Sequence, residues 1–336
     1  MDGTYLGRSG LKVSGFAFGT MTFGREADEQ ASHKMLDLFA EHGGNFIDTA
    51  DAYGNGTADE VFARWLADKN RDDFVIASKV RFPTGPGMND VGLSRKHIIA
   101  SAEASLRRLG TDHLDLLQIH CWDRGTPIEE TLSTLDQLVR DGKVRYLGSS
   151  NLRGWQLQKM VETSRRLGLE AFVSHQPQYN LLSRHTEWEV LEVCAAEGLG
   201  VVPWAPLRGG WLSGRYRPDM DGPPEGSRIK TAEEKGWSET WARYANDHTW
   251  SILAELDRVA AIHDTTPAAV AIAWVAQHPV VTAPILGASR FEQLEGNLAA
   301  INVELTDEDV QALNRVSDVE GSYPYDDFID SAQTGR

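Results

Sequence analysis

Short apolar segments alternate with amphipathic helical segments along the whole chain of 336 residues. Eight of the apolar segments have the length of a strand, and several are apolar throughout, as strands buried on both faces are. In chain order they span residues 16–21, 45–49, 74–80, 114–120, 144–149, 172–176, 200–204 and 284–287. Eight successive strand–helix units predict an α/β fold, a closed (β/α)8 TIM barrel.

An open, doubly wound sheet is the alternative interpretation of this alternation. That fold would need a G-x-G-x-x-G turn after the first strand, and residues 19–24, Gly-Thr-Met-Thr-Phe-Gly, lack it. Helix starts are predicted at three capping boxes, residues 57–60, 126–129 and 289–292. Helix ends are predicted at four glycines, Gly43, Gly110, Gly142 and Gly198.

Two segments fall outside the repeat. Residues 1–13 predict a small N-terminal hairpin that plugs the floor of the barrel. Residues 208–247 form a long connection after strand 7, rich in Gly, Pro and charge, which predicts a lid-like insertion. Five large aromatic residues in this lid argue against disorder: Trp211, Tyr216, Trp237, Trp241 and Tyr244. Since no domain boundary is visible, residues 1–336 are predicted to form a single domain.

Composition narrows the possible partners. The 33 basic and 49 acidic residues give a net charge of −16, which disfavours binding to nucleic acid or an anionic membrane surface. Cys121 and Cys194 make no disulfide framework, and the N-terminus lacks a basic-then-apolar export segment. No apolar run reaches the roughly 18 residues that a membrane span needs. We therefore expect a soluble, cytoplasmic protein without nucleic-acid or membrane partners.

Four chemically active side chains lie at or just after the ends of the second, third and fourth predicted strands. They are Asp48, Tyr53, Lys79 and His120. In a barrel of parallel strands these ends converge on one face, where active sites are built. A phenol, an ammonium, an imidazole and a carboxylate at that face can deliver a proton to a carbonyl oxygen. The pattern predicts a carbonyl reductase.

Each of these residues also has an ordinary structural interpretation. Asp48 could be a turn cap, Tyr53 a packing residue, Lys79 a surface lysine and His120 a core histidine; their joint placement on successive strand ends favours catalysis. His120, Cys121 and Asp123 could suggest a metal, but no second ligand pair has the spacing of a zinc site. We therefore expect no metal.

Motifs along nearly the whole chain resemble the aldo-keto reductase superfamily. They are residues 48–54 (Asp-Thr-Ala-Asp-Ala-Tyr-Gly), Lys79, His120 with Asp123, residues 148–151, 176–180 and 284–290. The resemblance implies a (β/α)8 barrel that binds NAD(P)H without a Rossmann fold and transfers hydride to an aldehyde or ketone. The long lid resembles the branch with aryl-alcohol dehydrogenases and potassium-channel β subunits, so a nicotinamide-binding regulatory subunit is the alternative function.

Tyr53 is the expected general acid, and its reference pKa of about 10 is high for that task. An ammonium about 4 Å away interacts with the phenolate by about 4 kcal/mol at an effective dielectric near 20, a ceiling of about 3 pKa units. Desolvation opposes part of that lowering. We expect Asp48 to pair with Lys79, and His120 to orient the substrate oxygen.

The cofactor residues follow from the resemblance. It places the adenosine 2′-phosphate at a helix opened by Ser289, with Arg290 in the first turn, and therefore predicts NADPH rather than NADH. It places a nicotinamide-stacking aromatic at Trp204 and a diphosphate contact at Arg215. The predicted set is Gly19, Thr20, Met21, Asp48, Ser150, Asn151, Gln176, Trp204, Ala205, Pro206, Leu207, Ser213, Gly214, Arg215, Gly287, Ser289, Arg290, Gln293 and Asn297.

Aromatic residues in the loops at the same face are the expected walls of the substrate pocket. Together with the catalytic side chains they are Phe23, Tyr53, Phe82, His120, Trp122 and Trp211. Such walls suit a small carbonyl compound of apolar or aromatic character. No basic cluster in these loops calls for an anionic substrate, and an oligomer is compatible with the sequence.

Overall fold

Eight parallel strands form one curved sheet in the order β10-β3-β4-β5-β6-β7-β8-β9. The computed structural model describes residues 1–236, 238–321 and 323–325. The strands are β3 (Ala17–Gly19), β4 (Phe46–Asp48), β5 (Val75–Val80), β6 (Leu114–Ile119), β7 (Val144–Ser150), β8 (Phe172–Gln176), β9 (Gly200–Val201) and β10 (Ile285–Leu286). Every predicted strand is present, and no open doubly wound order is found among them.

The two edge strands of this sheet are joined by backbone hydrogen bonds. The amide of Thr282 donates to the carbonyl of Val201 at 2.8 Å, and that of Ile285 donates to the carbonyl of Pro203 at 2.8 Å. These bonds bring the segment before β10 against β9, which closes the circle. The predicted (β/α)8 barrel is confirmed.

Helices follow the barrel strands and pack around them. They are α1 (Glu29–Glu41), α2 (Thr57–Leu66), α3 (Arg95–Leu109), α4 (Ile128–Arg140), α5 (Gly154–Leu167), α6 (Val190–Glu197), α7 (Arg228–Lys235), α8 (Trp241–Tyr244), α9 (Asp247–Ile262), α10 (Pro267–Ala276), α11 (Phe291–Leu298) and α12 (Asp307–Val316). The four glycines predicted at helix ends all have positive φ angles, as left-handed caps require.

The three predicted capping boxes are wrong by one residue each. The N-caps are Gly56, Pro127 and Arg290, and none of them makes a side-chain cap hydrogen bond. The hydroxyls expected to cap are used elsewhere: Thr126 donates to Asp123, and Ser289 donates to the side chain of Gln293.

The N-terminal hairpin consists of β1 (Gly3–Tyr5) and β2 (Lys12–Ser14), which pair antiparallel. Leu6 and Val13 from this hairpin are buried in one apolar cluster with Phe46 and Val75. Phe46 and Val75 begin β4 and β5, so this cluster lies at the amino-terminal end of the barrel interior. The hairpin plugs the floor as predicted.

The lid contains a 3₁₀ segment (Arg208–Ser213) followed by α7 and α8. Its aromatic residues pack together and against Trp250 of α9, with neighbouring ring centroids 4.9–6.0 Å apart. The members of this cluster are Trp211, Tyr216, Trp241, Tyr244 and Trp250. Trp237 lies outside the described residues.

Among the described helices, none alone is long and apolar enough to cross a membrane. Helices α9 and α10 meet that test only as a pair, and the pair is bent by 95°.

Candidate active site

Lys79 is the centre of the site. Its side chain is fully buried, and Nζ donates to Asp48 Oδ2 at 2.6 Å, to the Thr49 carbonyl at 2.9 Å and to Tyr53 Oη at 3.2 Å. An ammonium has three donors and no acceptor, so these three contacts use its whole hydrogen-bonding capacity. The ammonium is thereby held in one place, between a carboxylate and a phenol.

Strand pairing brings Asp48 and Lys79 together. Asp48 ends β4 opposite Ala77 of β5, two residues before Lys79. Beyond β4 the chain stays tied to β5, because the amide of Asp51 donates to the Lys79 carbonyl at 3.2 Å. The site therefore lies at the carboxyl ends of adjacent strands, the face predicted from the sequence.

A tight 3₁₀ turn brings Tyr53 back over Lys79. Gly54, Asn55 and Gly56 follow Tyr53 with φ angles of 58°, 54° and 97°. Glycine and asparagine are the residues that enter this left-handed region at low cost. The turn leaves Lys79 Nζ 4.9 Å from the centroid of the Tyr53 ring.

The pKa values of this buried pair do not follow the sequence-based expectation. Burial raises the pKa of Tyr53 above its usual value, and although the Lys79 charge acts against this rise, the net shift is upward. The expected net lowering of the Tyr53 pKa is therefore wrong. Burial acts to lower the pKa of Lys79, but the Asp48 carboxylate and the Tyr53 phenolate outweigh it and raise that pKa. Lys79 stays charged.

His120 follows the end of β6 and lies beside Tyr53, with ring centroids 6.0 Å apart. Burial lowers the pKa of His120 to about 2, and the charges of Lys79 and Arg81 add to the lowering. Its Nδ1 is buried without a hydrogen-bond partner among the described residues. At neutral pH this side chain is a neutral imidazole, which can donate a hydrogen bond without adding charge.

Two glutamines complete the surroundings of Asp48. Its Oδ1 accepts from Gln176 Nε2 at 2.8 Å and from Gln118 Nε2 at 3.4 Å. Gln176 was predicted as a cofactor residue, and its amide nitrogen is committed to Asp48. Gln118 was missed by the sequence analysis, although a polar residue next to the carboxyl end of a largely apolar strand was a signal for it.

Three predicted cofactor residues form one hydrogen-bonded group at the ends of β7 and β9. Ser150 donates to the Gln176 carbonyl, Asn151 Nδ2 donates to the His120 carbonyl, and Trp204 Nε1 donates to Asn151 Oδ1 at 3.0 Å. Trp204 is only partly buried, so part of its indole is accessible at this end of the barrel.

The segment after β9 leads directly into the lid. The Ala205 carbonyl accepts from Asn180, Pro206 is buried, Leu207 is partly buried, and Ser213 donates to a lid carbonyl. Gly214 has a φ angle of 77°, and a side chain there would meet Pro267 of α10. Arg215 is exposed and makes no ion pair within the described part of the chain.

The predicted 2′-phosphate site lies at the start of α11. Arg290 is the N-cap of that helix, one residue before its first turn, and its side chain is exposed. Across residues 1–236, 238–321 and 323–325 no side-chain partner contacts this guanidinium. Ser289 donates to Gln293 Oε1 at 3.1 Å, and Asn297 Nδ2 donates to the Gly287 carbonyl at 3.1 Å.

Residues 19–21 follow β3 at the same end of the barrel. Gly19 is partly buried, and Met21 exposes 37% of its surface. Thr20 is fully buried, and its hydroxyl has no hydrogen-bond partner in the described structure.

Phe82 and Trp122, two of the predicted substrate walls, both make aromatic contacts. Phe82 is 36% exposed and its ring packs on His120 with centroids 4.5 Å apart. Trp122 packs on Trp155, which was missed because it begins a helix, and Trp155 is 52% exposed. Phe23 and Trp211 expose no surface, since Phe23 packs in the core and Trp211 in the lid cluster. These two residues are not pocket walls here.

The structure shows no built metal centre in its described ranges. No group of three or more His, Cys, Asp or Glu side chains there could hold a metal ion. His120, Cys121 and Asp123 are accordingly not gathered around one point.

A closed barrel with a buried lysine, carboxylate and phenol at its carboxyl end defines a class of barrel oxidoreductases. The model of the aldo/keto reductase family matches residues 16–318. The chain belongs to this family, and it is an oxidoreductase of that family.

Named relatives cover most of the chain. It is 37% identical over 326 residues to the "Uncharacterized oxidoreductase YrpG" of Bacillus subtilis, covering 94% of this chain and 96% of the relative. It is 37% identical over 302 residues to a "Probable voltage-gated potassium channel subunit beta" of Arabidopsis thaliana, covering 89% and 90%. It is 31% identical over 330 residues to the "Norsolorinic acid reductase" of Aspergillus flavus, covering 94% and 81%.

Proposed function

We propose that the protein is an NADPH-dependent reductase that converts an aldehyde or ketone to an alcohol, with Tyr53 as the general acid. The observation that carries the proposal is the 3.2 Å contact between Lys79 Nζ and Tyr53 Oη. Because the ammonium only donates, the phenolic proton cannot point at it. That proton is turned to the partly exposed side of Tyr53, where a carbonyl oxygen can accept it.

His120 supports the same step. A neutral imidazole beside Tyr53 can donate a hydrogen bond to the substrate oxygen, and the buried Lys79 charge stabilises negative charge that develops there. The acid, the hydrogen-bond donor and the positive charge thus meet at one side of the barrel mouth.

The residues present fit a reduced nicotinamide dinucleotide, which supplies the hydride when bound. Arg290 offers a planar, exposed guanidinium at the amino end of α11, the arrangement suited to a phosphate. Arg215 is a second exposed cation, within the lid. Trp204 offers a partly accessible indole, held by Asn151, on which a flat ring can stack. These features support NADPH as the cofactor.

The mouth favours an apolar or aromatic carbonyl compound. Phe82 contacts His120 directly, and the Trp122–Trp155 pair extends the aromatic surface outward. The Aspergillus flavus relative carries the name of a norsolorinic acid reductase, which supports reductase activity here. The free thiols of Cys121 and Cys194 are consistent with a cytoplasmic site of action.

The test is a panel of aliphatic and aromatic aldehydes and ketones with NADPH or NADH, followed by the nicotinamide absorbance. We expect reduction that is lost by at least about a hundredfold in Tyr53→Phe, the lower end of typical general-acid effects, while NADPH affinity is retained. Because phenylalanine lacks only the hydroxyl, the variant keeps the ring contact with Lys79, and the comparison isolates the effect of the hydroxyl. Equal rates in wild type and Tyr53→Phe would rule out the acid assignment.

A nicotinamide-binding regulatory subunit with little turnover is the second candidate. The similarity to the Arabidopsis relative, which is named as a potassium channel subunit, supports it. This candidate would be favoured if the wild type binds NADPH tightly but reduces no carbonyl compound of the panel faster than Tyr53→Phe does.

A further inference from the structure

A polar face of α3 is buried against the loop that follows β4. Ser101, Ser105 and Arg108 are spaced by four and three residues, so they share one side of the helix. Both serines are buried, and Arg108 keeps 21% of its side chain exposed. Buried polar groups are costly unless they are hydrogen-bonded. Here they bond to acidic residues that flank the active-site loop.

Asp59 is the buried acid that links this face to the loop. It lies in the first turns of α2 with no exposed side-chain surface, and its Oδ2 accepts from Arg108 Nη2 at 2.8 Å and Nε at 3.1 Å. Its Oδ1 accepts from the Thr49 hydroxyl at 2.8 Å. Burial raises the pKa of Asp59, while the Arg108 charge and the Thr49 hydroxyl act against that rise.

Thr49 carries the link to the ammonium. Its carbonyl accepts from Lys79 Nζ at 2.9 Å, and its hydroxyl is the one held by Asp59. Three successive hydrogen-bonded contacts therefore connect the Arg108 guanidinium to the Lys79 ammonium. Neither Asp59 nor Arg108 touches Tyr53 or the barrel mouth.

Packing leaves this arrangement little freedom. Gly56 ends the turn after Tyr53 with a φ angle of 97°, and a Cβ built there would lie 2.7 Å from both Cδ and Nε of Arg108. The arginine stem thus runs directly over the Gly56 backbone. The left-handed angle favours glycine here, and a Cβ would have to displace the end of the Arg108 side chain from its ion pair with Asp59.

We propose that Asp59 is a positioning residue: by holding the Thr49 hydroxyl, it fixes the Thr49 carbonyl as an acceptor for Lys79 and so keeps the ammonium on Tyr53. The Tyr53 contact, at 3.2 Å, is the longest of the three that Lys79 makes, and the Asp48 contact, at 2.6 Å, is the shortest. If the Thr49 carbonyl drifts, the ammonium settles on Asp48 and the phenol contact weakens first.

The decisive variant is Thr49→Val, which removes the hydroxyl that Asp59 holds, and it is read by NMR of tyrosine labelled with carbon-13 at Cζ. The Tyr53 signal is assigned by its loss in Tyr53→Phe. Since a weakened Lys79 contact favours the neutral phenol, we expect Thr49→Val to raise the midpoint of the Tyr53 titration by about one pH unit. Thr49→Ser, which keeps the hydroxyl, should bring it back toward the wild-type value.

Thr134→Val is the matched control. Thr134 is also a fully buried threonine, and its hydroxyl bonds to the Glu130 carbonyl on α4. It should leave the Tyr53 titration unmoved. A shift in Thr49→Val no larger than in Thr134→Val, or no recovery in Thr49→Ser, would overturn the proposal.

A second readout rests on the proposed function. In the reductase assay Thr49→Val should lower kcat about tenfold with the NADPH KM unchanged, since the buried Thr49 hydroxyl bonds to Asp59 and not to a predicted cofactor residue. The NMR titration needs no turnover, so it decides the role of Asp59 even if no carbonyl is reduced.

Discussion

Replacing Lys79 by methionine tests whether the buried ion pair is the structural centre of the site. Asp48 and Lys79 are 3% and 1% exposed, and their charged atoms are 2.6 Å apart. At an effective dielectric near 20 their attraction is about 6 kcal/mol, which offsets desolvation of several kcal/mol for each ion. Lys79→Met removes that attraction and leaves the Asp48 carboxylate buried with only amide partners.

The expected loss is about 3–5 kcal/mol of unfolding free energy. Unfolding entropies near 2.1 cal/mol/K per residue give about 0.7 kcal/mol/K for 336 residues. The loss then corresponds to a fall in Tm of about 4–7 °C. The double variant Asp48→Asn with Lys79→Met removes both charges and keeps an acceptor for Gln176, so it should recover at least half of that fall.

Calorimetry of the three proteins measures these midpoints, and the carbonyl panel measures activity in parallel. Both variants should be inactive, because each removes the ammonium beside Tyr53. The reasoning is refuted if Lys79→Met melts within about 1 °C of the wild type, or if the double variant is less stable than Lys79→Met.

Two further predictions concern the cofactor and pH. Arg290→Ala should weaken NADPH binding by about 10- to 100-fold and NADH binding little, measured by cofactor fluorescence, since a charge-assisted hydrogen bond contributes about 1.5–3 kcal/mol. Arg215→Ala, which changes an exposed arginine within the lid, is the control and should weaken the binding of both cofactors equally. Equal losses of NADPH and NADH binding in Arg290→Ala would contradict its 2′-phosphate role. Burial raises the pKa of Asp51 to about 6, so the folded protein holds a proton that the unfolded chain releases near pH 4, and stability should fall as pH rises from about 4 to about 6, by about 3 kcal/mol. Asp51→Asn should flatten that fall in Tm against pH; an unchanged slope would assign it to other groups.

The barrel could be predicted because its buried strands are runs of apolar residues. The ends of the strands were harder to predict where a proline interrupts the backbone hydrogen bonds of the sheet. Residues 200–204 were predicted as one strand, but Pro203 has no amide hydrogen, so β9 ends at Val201 and Pro203 serves only as an acceptor for Ile285. The capping box at residues 126–129 failed because the Thr126 hydroxyl donates to the Asp123 carboxylate and the helix takes Pro127 as its N-cap.

The proximity of the proposed catalytic residues could be predicted because each lies at or just after a strand end, where topology alone brings them together. Their supports could not, because Gln118, Asp59 and Arg108 come from separate elements whose faces meet only in the folded chain. Phe23 and Trp211 were predicted wrongly as pocket walls because an aromatic residue in a loop can either line a pocket or anchor its own loop. The sequence does not distinguish these two roles, since they depend on packing in the folded chain.

The net rise in the Tyr53 pKa changes what Lys79 is expected to contribute. Burial outweighs the Lys79 charge in the net shift, although the rise in the Tyr53 pKa would be larger without that charge. Lys79 also acts through its position: all three of its protons are committed, so the Tyr53 oxygen receives a hydrogen bond and the phenolic proton must turn away from the ammonium. The cation then stabilises the phenolate once the proton has left, a benefit realised during the transfer and not before it. In the proposed reaction, Lys79 therefore sets the direction of the Tyr53 proton and also favours its release.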